Sequence, residues 1–381
     1  MTDPRPFTID VPSAEIDALR ERLALSRFPR YPHQPGWQWG PDEAYLRSLV
    51  QYWREDFDWY AQQHRLNEFP QFKVAVQGRD LHFLHVRSSH ADALPLVLTH
   101  GWPGSVFEFY KIIGPLTEPQ DFGGDAADAF HVICPSMTGY AWSEPLTAPG
   151  CDVRTVAERQ VELVRLLGYP RYGVQGGDWG AVVSPHMALL DPDRVVGIHQ
   201  NMCPASSSDD PEEATARGVI PGPLALTIDY ATRQNGYAMI QGQMPDQLGF
   251  ALNDSPLGLA AWIVHCFYEW GDVEHTPEER FTKDELLTNV MIYWLTGSMP
   301  HAIRLYLETM RAGHFGAPQT FVKTPTGVAQ FRDLVMPKRE WAERNYNIVQ
   351  WTEYESGGHF AALEEPTLLV EDIRRFFRGL R

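Results

Sequence analysis

The residues best placed to do chemistry lie at Gly176-Gly177-Asp178-Trp179-Gly180. A short apolar run, Tyr172 to Val174, leads into them, and a small-residue segment compatible with a helix follows. Two glycines flanking a reactive residue at this spacing are the mark of a sharp strand-to-helix turn that exposes one side chain at its apex. Glycine suits such a turn because it needs positive φ and close approach of neighbouring backbone. The residue presented here is a carboxylate, Asp178, where acyl transfer would call for serine. A serine attacking a saturated carbon would form an ether, a dead end. A carboxylate forms an ester there, and a histidine-activated water can hydrolyse it. Asp178 is therefore the expected nucleophile of a substitution at an sp³ carbon, as in opening an epoxide or displacing a halide.

Two further stretches supply what such a nucleophile needs. His100-Gly101-Trp102-Pro103 ends the apolar run Leu94–Thr99. In the α/β-hydrolase arrangement an oxyanion hole takes one N–H from the residue after the nucleophile and one from an earlier strand-end loop. That assigns the backbone N–H groups of Trp179 and Trp102. The chain has 14 histidines, but few follow a late strand within a Gly-Gly turn as His359 does in Ser356-Gly357-Gly358-His359-Phe360. The chain order nucleophile, acid, histidine asks for the orienting acid after the penultimate strand. Asp333 lies there, 26 residues before His359. Glu353 and Glu355 suit the role less, because they sit in or just after the strand that carries His359.

The elements that must position these residues can be read in order. Ser13 reads as an N-cap, with Ile16, Leu19 and Leu23 at helical spacing behind it. A connector rich in proline and aromatics follows (Pro29, Pro32, Pro35, Trp37, Trp39), then a second helix from about Asp42. Phe72–Val76 and Leu81–Val86 around Gln77-Gly78 read as a hairpin. Leu94–Thr99, His131–Cys134, Tyr172–Val174 and Val195–His199 read as buried strands alternating with helices, Val106–Leu116 and Val153–Leu167 among them. Helical signals predominate from about residue 204 to 319, including the capping boxes Thr276-Pro-Glu-Glu279 and Thr282-Lys-Asp-Glu285. Strands resume at Phe321–Lys323 and Ile348–Tyr354, and Glu371–Leu380 closes the chain as a helix.

This order predicts an α/β protein of the α/β-hydrolase fold, with a mostly parallel central sheet flanked by helices. Residues 1–70 read as an N-terminal helical extension wrapping the core. The core runs over 71–203 and 320–381, and residues 204–319 form an inserted helical lid.

At 381 residues, 44% of them hydrophobic, the chain can bury a large core. Its formal net charge of −17 disfavours nucleic acid and anionic membrane surfaces as partners. Cys134, Cys151, Cys203 and Cys266 show no C-x-x-C spacing, which suits a reducing, cytoplasmic setting. The N-terminal residues carry no apolar signal core, and no run of about 18 apolar residues suggests a membrane span. H-E-x-x-H, Walker A and G-x-G-x-x-G patterns are missing, so neither a metal nor an organic cofactor is expected. The aromatic-rich N-terminal segment and the lid could bury surface in a homodimer.

Several longer motifs converge on one family. His100-Gly-Trp-Pro-Gly-Ser105, Gly176-Gly-Asp-Trp-Gly180, Leu252-Asn-Asp-Ser-Pro256, Asp284-Glu-Leu-Leu-Thr-Asn-Val290, Thr324-Pro-Thr-Gly327 and Gly357-Gly-His-Phe-Ala-Ala-Leu-Glu-Glu-Pro366 stand in family order from about residue 70 onward. The chain resembles α/β-hydrolase-fold epoxide hydrolases of the microsomal and juvenile-hormone type, its N-terminal residues included. The resemblance implies Asp178 as nucleophile, His359 as base and Asp333 as its partner, in a position where some family members carry Glu. It also implies two lid tyrosines, Tyr237 and Tyr306, as donors to the epoxide oxygen, and a vicinal diol as product from epoxide and water. The hydrophobic anchor of membrane-bound relatives has no counterpart in these N-terminal residues. Two other readings fit an aspartate at this turn: a haloalkane dehalogenase, or a non-catalytic receptor for small molecules.

Overall fold

A computed structural model of the chain describes residues 3–31, 36–146 and 148–381. Pro32 and Pro35 of the expected connector lie outside the described residues. Among the described residues nine strands form one sheet: β1 (Arg5–Phe7), β2 (Gln71–Val76), β3 (Arg79–Val86), β4 (Leu94–Thr99), β5 (Phe130–Pro135), β6 (Tyr172–Gly176), β7 (Val195–Gln200), β8 (Val322–Gln330) and β9 (Tyr346–Glu353), in the order β1-β2-β3-β5-β4-β6-β7-β8-β9. From β5 to β9 all neighbours pair in parallel, while β1, β2 and β3 join antiparallel at one edge. This is the α/β-hydrolase fold. Helices cover both faces of its centre, so every residue of β4, β5 and β6 is buried.

Parallel strands bring their C-terminal ends to one edge of the sheet, where loops can gather reactive groups. The loops after β4, β6, β8 and β9 carry Trp102, Asp178, Asp333 and His359. Between β7 and β8 the chain forms a run of helices, among them Gly236–Gln243, Pro256–Trp270, Lys283–Thr296 and Met299–Ala312. The N-terminal helices pack on this run, with Tyr52 donating to Asp284 at 2.8 Å and the Trp53 indole N–H reaching the Met291 sulfur at 3.3 Å. Among the described residues no helix is long and apolar enough to cross a membrane.

Several local expectations need correction. Ser13 is the first helical residue of Ser13–Ala24, Pro12 holds the cap position, and no side chain caps that helix. Asp42 does cap Glu43–Glu55, accepting from the Tyr45 N–H at 2.7 Å. The segment from Val106 begins as a 3-10 turn to Phe109, and the α-helix proper is Tyr110–Thr117. The Thr276 box opens only a single 3-10 turn, whereas the Thr282 box starts a full helix. Strand β8 continues to Gln330, beyond the expected Lys323, and the final helix begins at Pro366 rather than Glu371.

The turn at Asp178 shows why small residues surround it. Positive φ falls on Asp178 itself, at 48°, and on none of its neighbouring glycines. Those glycines serve close approach alone. A Cβ on Gly180 would sit 1.9 Å from the Thr99 carbonyl oxygen of β4, and one on Gly176 2.4 Å from the Gly180 carbonyl carbon. Gly180→Ala is therefore expected to lower stability by about 3 kcal/mol, because rigid backbone on both sides cannot yield. Chemical denaturation should show it as a lower midpoint at unchanged slope. An unchanged midpoint would mean that the turn relaxes freely.

Candidate active site

Asp178 stands at the N-terminus of the helix Trp179–Leu190, held in a backbone conformation that is costly for a residue with a side chain. One of its oxygens, Oδ1, accepts from the Trp102 N–H at 2.9 Å and from the Trp179 N–H at 2.7 Å. The other, Oδ2, lies 3.4 Å from His359 Nε2. The carboxylate is thus asymmetric: one oxygen is locked by two backbone donors beside a helix N-terminus, and the other faces the imidazole. A Cβ on Gly101 would collide with the Asp178 side chain at 2.3 Å, so glycine is required where the β4 loop passes over the carboxylate.

His359 Nδ1 is 2.7 Å from Asp333 Oδ1, which also accepts from the Leu334 N–H at 2.6 Å. The side chains of His359 and Asp333 are 3% and 1% exposed, so the pair is sealed from bulk water. Burial works against a charged imidazole here. Asp333 and Asp178 outweigh it and hold His359 well above the ordinary histidine range. The two carboxylates thus favour the charged form of His359, one on each ring nitrogen. Trp270 and Phe360 wall it in, their ring centres 5.3 and 4.9 Å from that of His359.

Tyr237 and Tyr306 project from the helices Gly236–Gln243 and Met299–Ala312 into a small cavity of about 50 Å³ that Asp178 also lines. The Trp102 ring stacks on Tyr237 at 5.2 Å and meets Tyr306 edge-on at 5.8 Å, while Trp179 lies 4.6 Å from Tyr306. The two tryptophans whose N–H groups hold Asp178 therefore also brace the two phenols. Burial first, with Tyr230 and Asp178 nearby, raises both phenols well above the ordinary tyrosine range. Each stays protonated and able to donate. Val182, Met202, Leu224, Leu226 and Leu334 make the rest of the cavity wall largely apolar.

The structure brings together all seven residues singled out from the sequence: Asp178, His359, Asp333, Tyr237, Tyr306, Trp102 and Trp179. Others were missed. The Tyr230 hydroxyl lies 3.0 Å from that of Tyr237, and nothing in its local sequence distinguishes it among 15 tyrosines. Glu108 packs its carboxyl into the space beside Gly104, where a methyl group would meet Oε1 at 1.2 Å. Burial pushes that carboxyl up to about 8, opposed by His359 and assisted by Asp178. Trp270 and Glu364 contact the His359 loop, and Glu364 at least lies within a recognisable motif.

Comparison with known proteins bears on the family and the fold. A family model described as epoxide hydrolase N terminus matches residues 4–109, and one described as alpha/beta hydrolase fold matches residues 95–218. Epoxide hydrolase 1 of Sus scrofa is 36% identical over 399 residues, covering 98% of this chain and 88% of that protein. Juvenile hormone epoxide hydrolase 2 of Ctenocephalides felis is 35% identical, covering 98% and 85%. The crystal structure of juvenile hormone epoxide hydrolase from the silkworm Bombyx mori superimposes with a TM-score of 0.87 at 32% identity, covering 100% of this chain and 95% of that one.

Proposed function

The chain belongs to the epoxide hydrolase family, and from that premise we propose that it opens an epoxide to a vicinal diol through a covalent ester on Asp178. The observation that carries this reading is the asymmetry of the carboxylate. Trp102 and Trp179 hold Oδ1, leaving Oδ2 to attack. Residues 204–319 act as the lid over the site, with 1–70 as an extension packed on it. The acidic charge and four buried, unpaired cysteines favour a cytoplasmic setting.

In the first half-reaction Tyr237 and Tyr306 donate to the epoxide oxygen. Asp178 Oδ2 forms a bond to one ring carbon while that carbon's bond to oxygen breaks. The electron pair moves to the oxygen, which takes a phenolic proton; once the ester has formed, the His359 imidazolium gives its proton through water to the phenolate. Esterification removes the negative charge facing Nε2, so much of what held the imidazolium is gone and His359 becomes a base when one is needed.

In the second half His359 takes a proton from water, and the hydroxide attacks Asp178 Cγ. Charge gathers on Oδ1 between the two backbone N–H groups, placed before it forms. Collapse breaks the bond between Cγ and Oδ2, and the departing diol oxygen takes its proton from His359. The acid proton left on Asp178 restores the imidazolium. Water and epoxide are consumed, diol is made, and every proton is accounted for.

A single turnover in ¹⁸O-labelled water, with enzyme in excess, tests this route. Heavy oxygen should appear in the peptide containing Asp178, and the diol should carry an enzyme oxygen. Label found in the diol alone would mean direct attack of water on the epoxide, and the covalent reading would fall.

A further inference from the structure

The backbone of the loop that carries His359 is tied to the helical insertion around the end of one helix. Helix Pro256–Trp270 ends against Gly358: a Cβ there would meet the Asp272 nitrogen at 2.6 Å and the Trp270 carbonyl oxygen at 2.7 Å. The His359 N–H donates to that Trp270 oxygen at 3.0 Å. Three more backbone N–H groups point into the same small space, from Asp272, Gly358 and Phe360. All three are taken by Glu364. Its Oε2 accepts from Asp272 at 2.7 Å and from Gly358 at 3.0 Å, and its Oε1 accepts from Phe360 at 2.9 Å.

Three converging donors need two acceptor oxygens, which among side chains of this length only a carboxylate offers. Asp272 reinforces the same junction from the insertion side. Its Oδ2 accepts from the Gly357 N–H at 3.1 Å, its Oδ1 from Arg332 at 3.0 Å, and Arg280 pairs with it while also binding Glu365 at 3.0 Å. Both neighbours of His359 in the chain, and the Asp272 N–H just beyond the end of the insertion helix, thus depend on one half-buried carboxyl.

We propose that Glu364 is a positioning residue for the hydrolytic half-reaction, holding the His359 backbone against the end of Pro256–Trp270 so that Nε2 stays in line with the water that cleaves the ester. The proposal rests on the two-step reading above, in which His359 acts as base only in the second half. Glu364 donates to and accepts from none of the groups that carry the first half. Asp178 is held by the loops after β4 and β6, and Tyr237, although its ring lies 4.9 Å from that of Trp270, is stacked on the Trp102 ring and bonded to the Tyr230 hydroxyl. Burial nevertheless raises the Glu364 carboxyl to about 7, with the three N–H donors and His359 opposing. An acid kept at that position against its desolvation is one the fold cannot replace with a neutral group of similar shape.

Glu364→Gln keeps the volume but turns an NH₂ group toward the three donors. Its kcat is expected to fall about 30-fold while kcat/KM, which reports ester formation, stays within about 3-fold; KM then falls with kcat. The Asp178 ester should be visible by mass spectrometry at steady state. A parallel fall of kcat and kcat/KM, or an unchanged kcat, would overturn the positioning role. Should Glu364→Gln not fold, Asp272→Asn decides by the same split, since it loosens the junction from the other side. Failure of ¹⁸O to enter the peptide containing Asp178 in a single turnover of the native enzyme would instead refute the two-step reading itself, which keeps the two failures apart.

Discussion

His359→Gln is expected to form the ester and then stop. Steady-state diol production should fall by about 10³-fold or more, because the water that cleaves the ester loses its base. Intact-protein mass should rise by the mass of one epoxide, such as styrene oxide, with the added mass on the peptide containing Asp178. Glutamine is chosen because it fills much of the imidazole's space between Trp270 and Phe360 and can still donate to Asp333. It cannot carry the positive charge that the two carboxylates favour there, one of them 1% exposed. Some loss of stability should therefore accompany the kinetic effect, and a melting curve separates the two. Diol made at the native rate would remove His359 from the mechanism. Loss of diol with no adduct, in a folded variant, would mean that His359 is also needed to form the ester.

The reactive core of this site was legible because its signals are local. A two-glycine turn marks Asp178 whatever surrounds it, and a Gly-Gly turn after a strand does the same for His359. Asp333 required chain order as well, a property of the fold rather than of its neighbours. The tyrosines were out of reach of chemistry and came only from resemblance. What selects Tyr237 and Tyr306 is contact with Trp102 and Trp179, residues far away in the chain.

The fold divides along the same line. Leu94–Thr99 is a continuous apolar run, and it proved to be a strand because burial on both faces demands that composition; the strand expected near Val195–His199 is also present. Strand β8 was cut short because Thr324-Pro325-Thr326-Gly327 carries turn-forming residues. The sheet absorbs them through register shifts at Pro325 and Gly327. The edge strand Arg5–Phe7 and the polar helix Trp59–Asn67 were missed outright. The first is three residues long, and the second shows little periodicity and depends on Asp58 capping it, with the Asp58 side chain accepting from Tyr60 and Ala61.

Replacing both Tyr237 and Tyr306 by Phe should produce the opposite kinetic picture from His359→Gln. Epoxide opening puts negative charge on an oxygen within a largely apolar cavity, and a donor aimed at that charge matters most where water is excluded. Removing one donor of this kind costs about 10²-fold in rate or more. Tyr306→Phe or Tyr237→Phe alone is therefore expected to slow ester formation by about 10²-fold. The double variant should slow it by about 10³-fold to 10⁴-fold, less than the product if each phenol partly covers for the other. Rapid-mixing measurement of ester formation is the readout, because here kcat/KM should fall and no ester should accumulate. Ester placed on Asp178 by other means should still hydrolyse at the native rate, since neither phenol touches His359 or Asp333. Tyr230→Phe provides the internal comparison: it deletes only the hydroxyl 3.0 Å from Tyr237, and its effect should be several times smaller. Native ester formation in the double variant would leave the epoxide oxygen without its proposed donors. Glu108, a carboxyl beside the site that burial pushes up to about 8, would then be the group to test as the proton source.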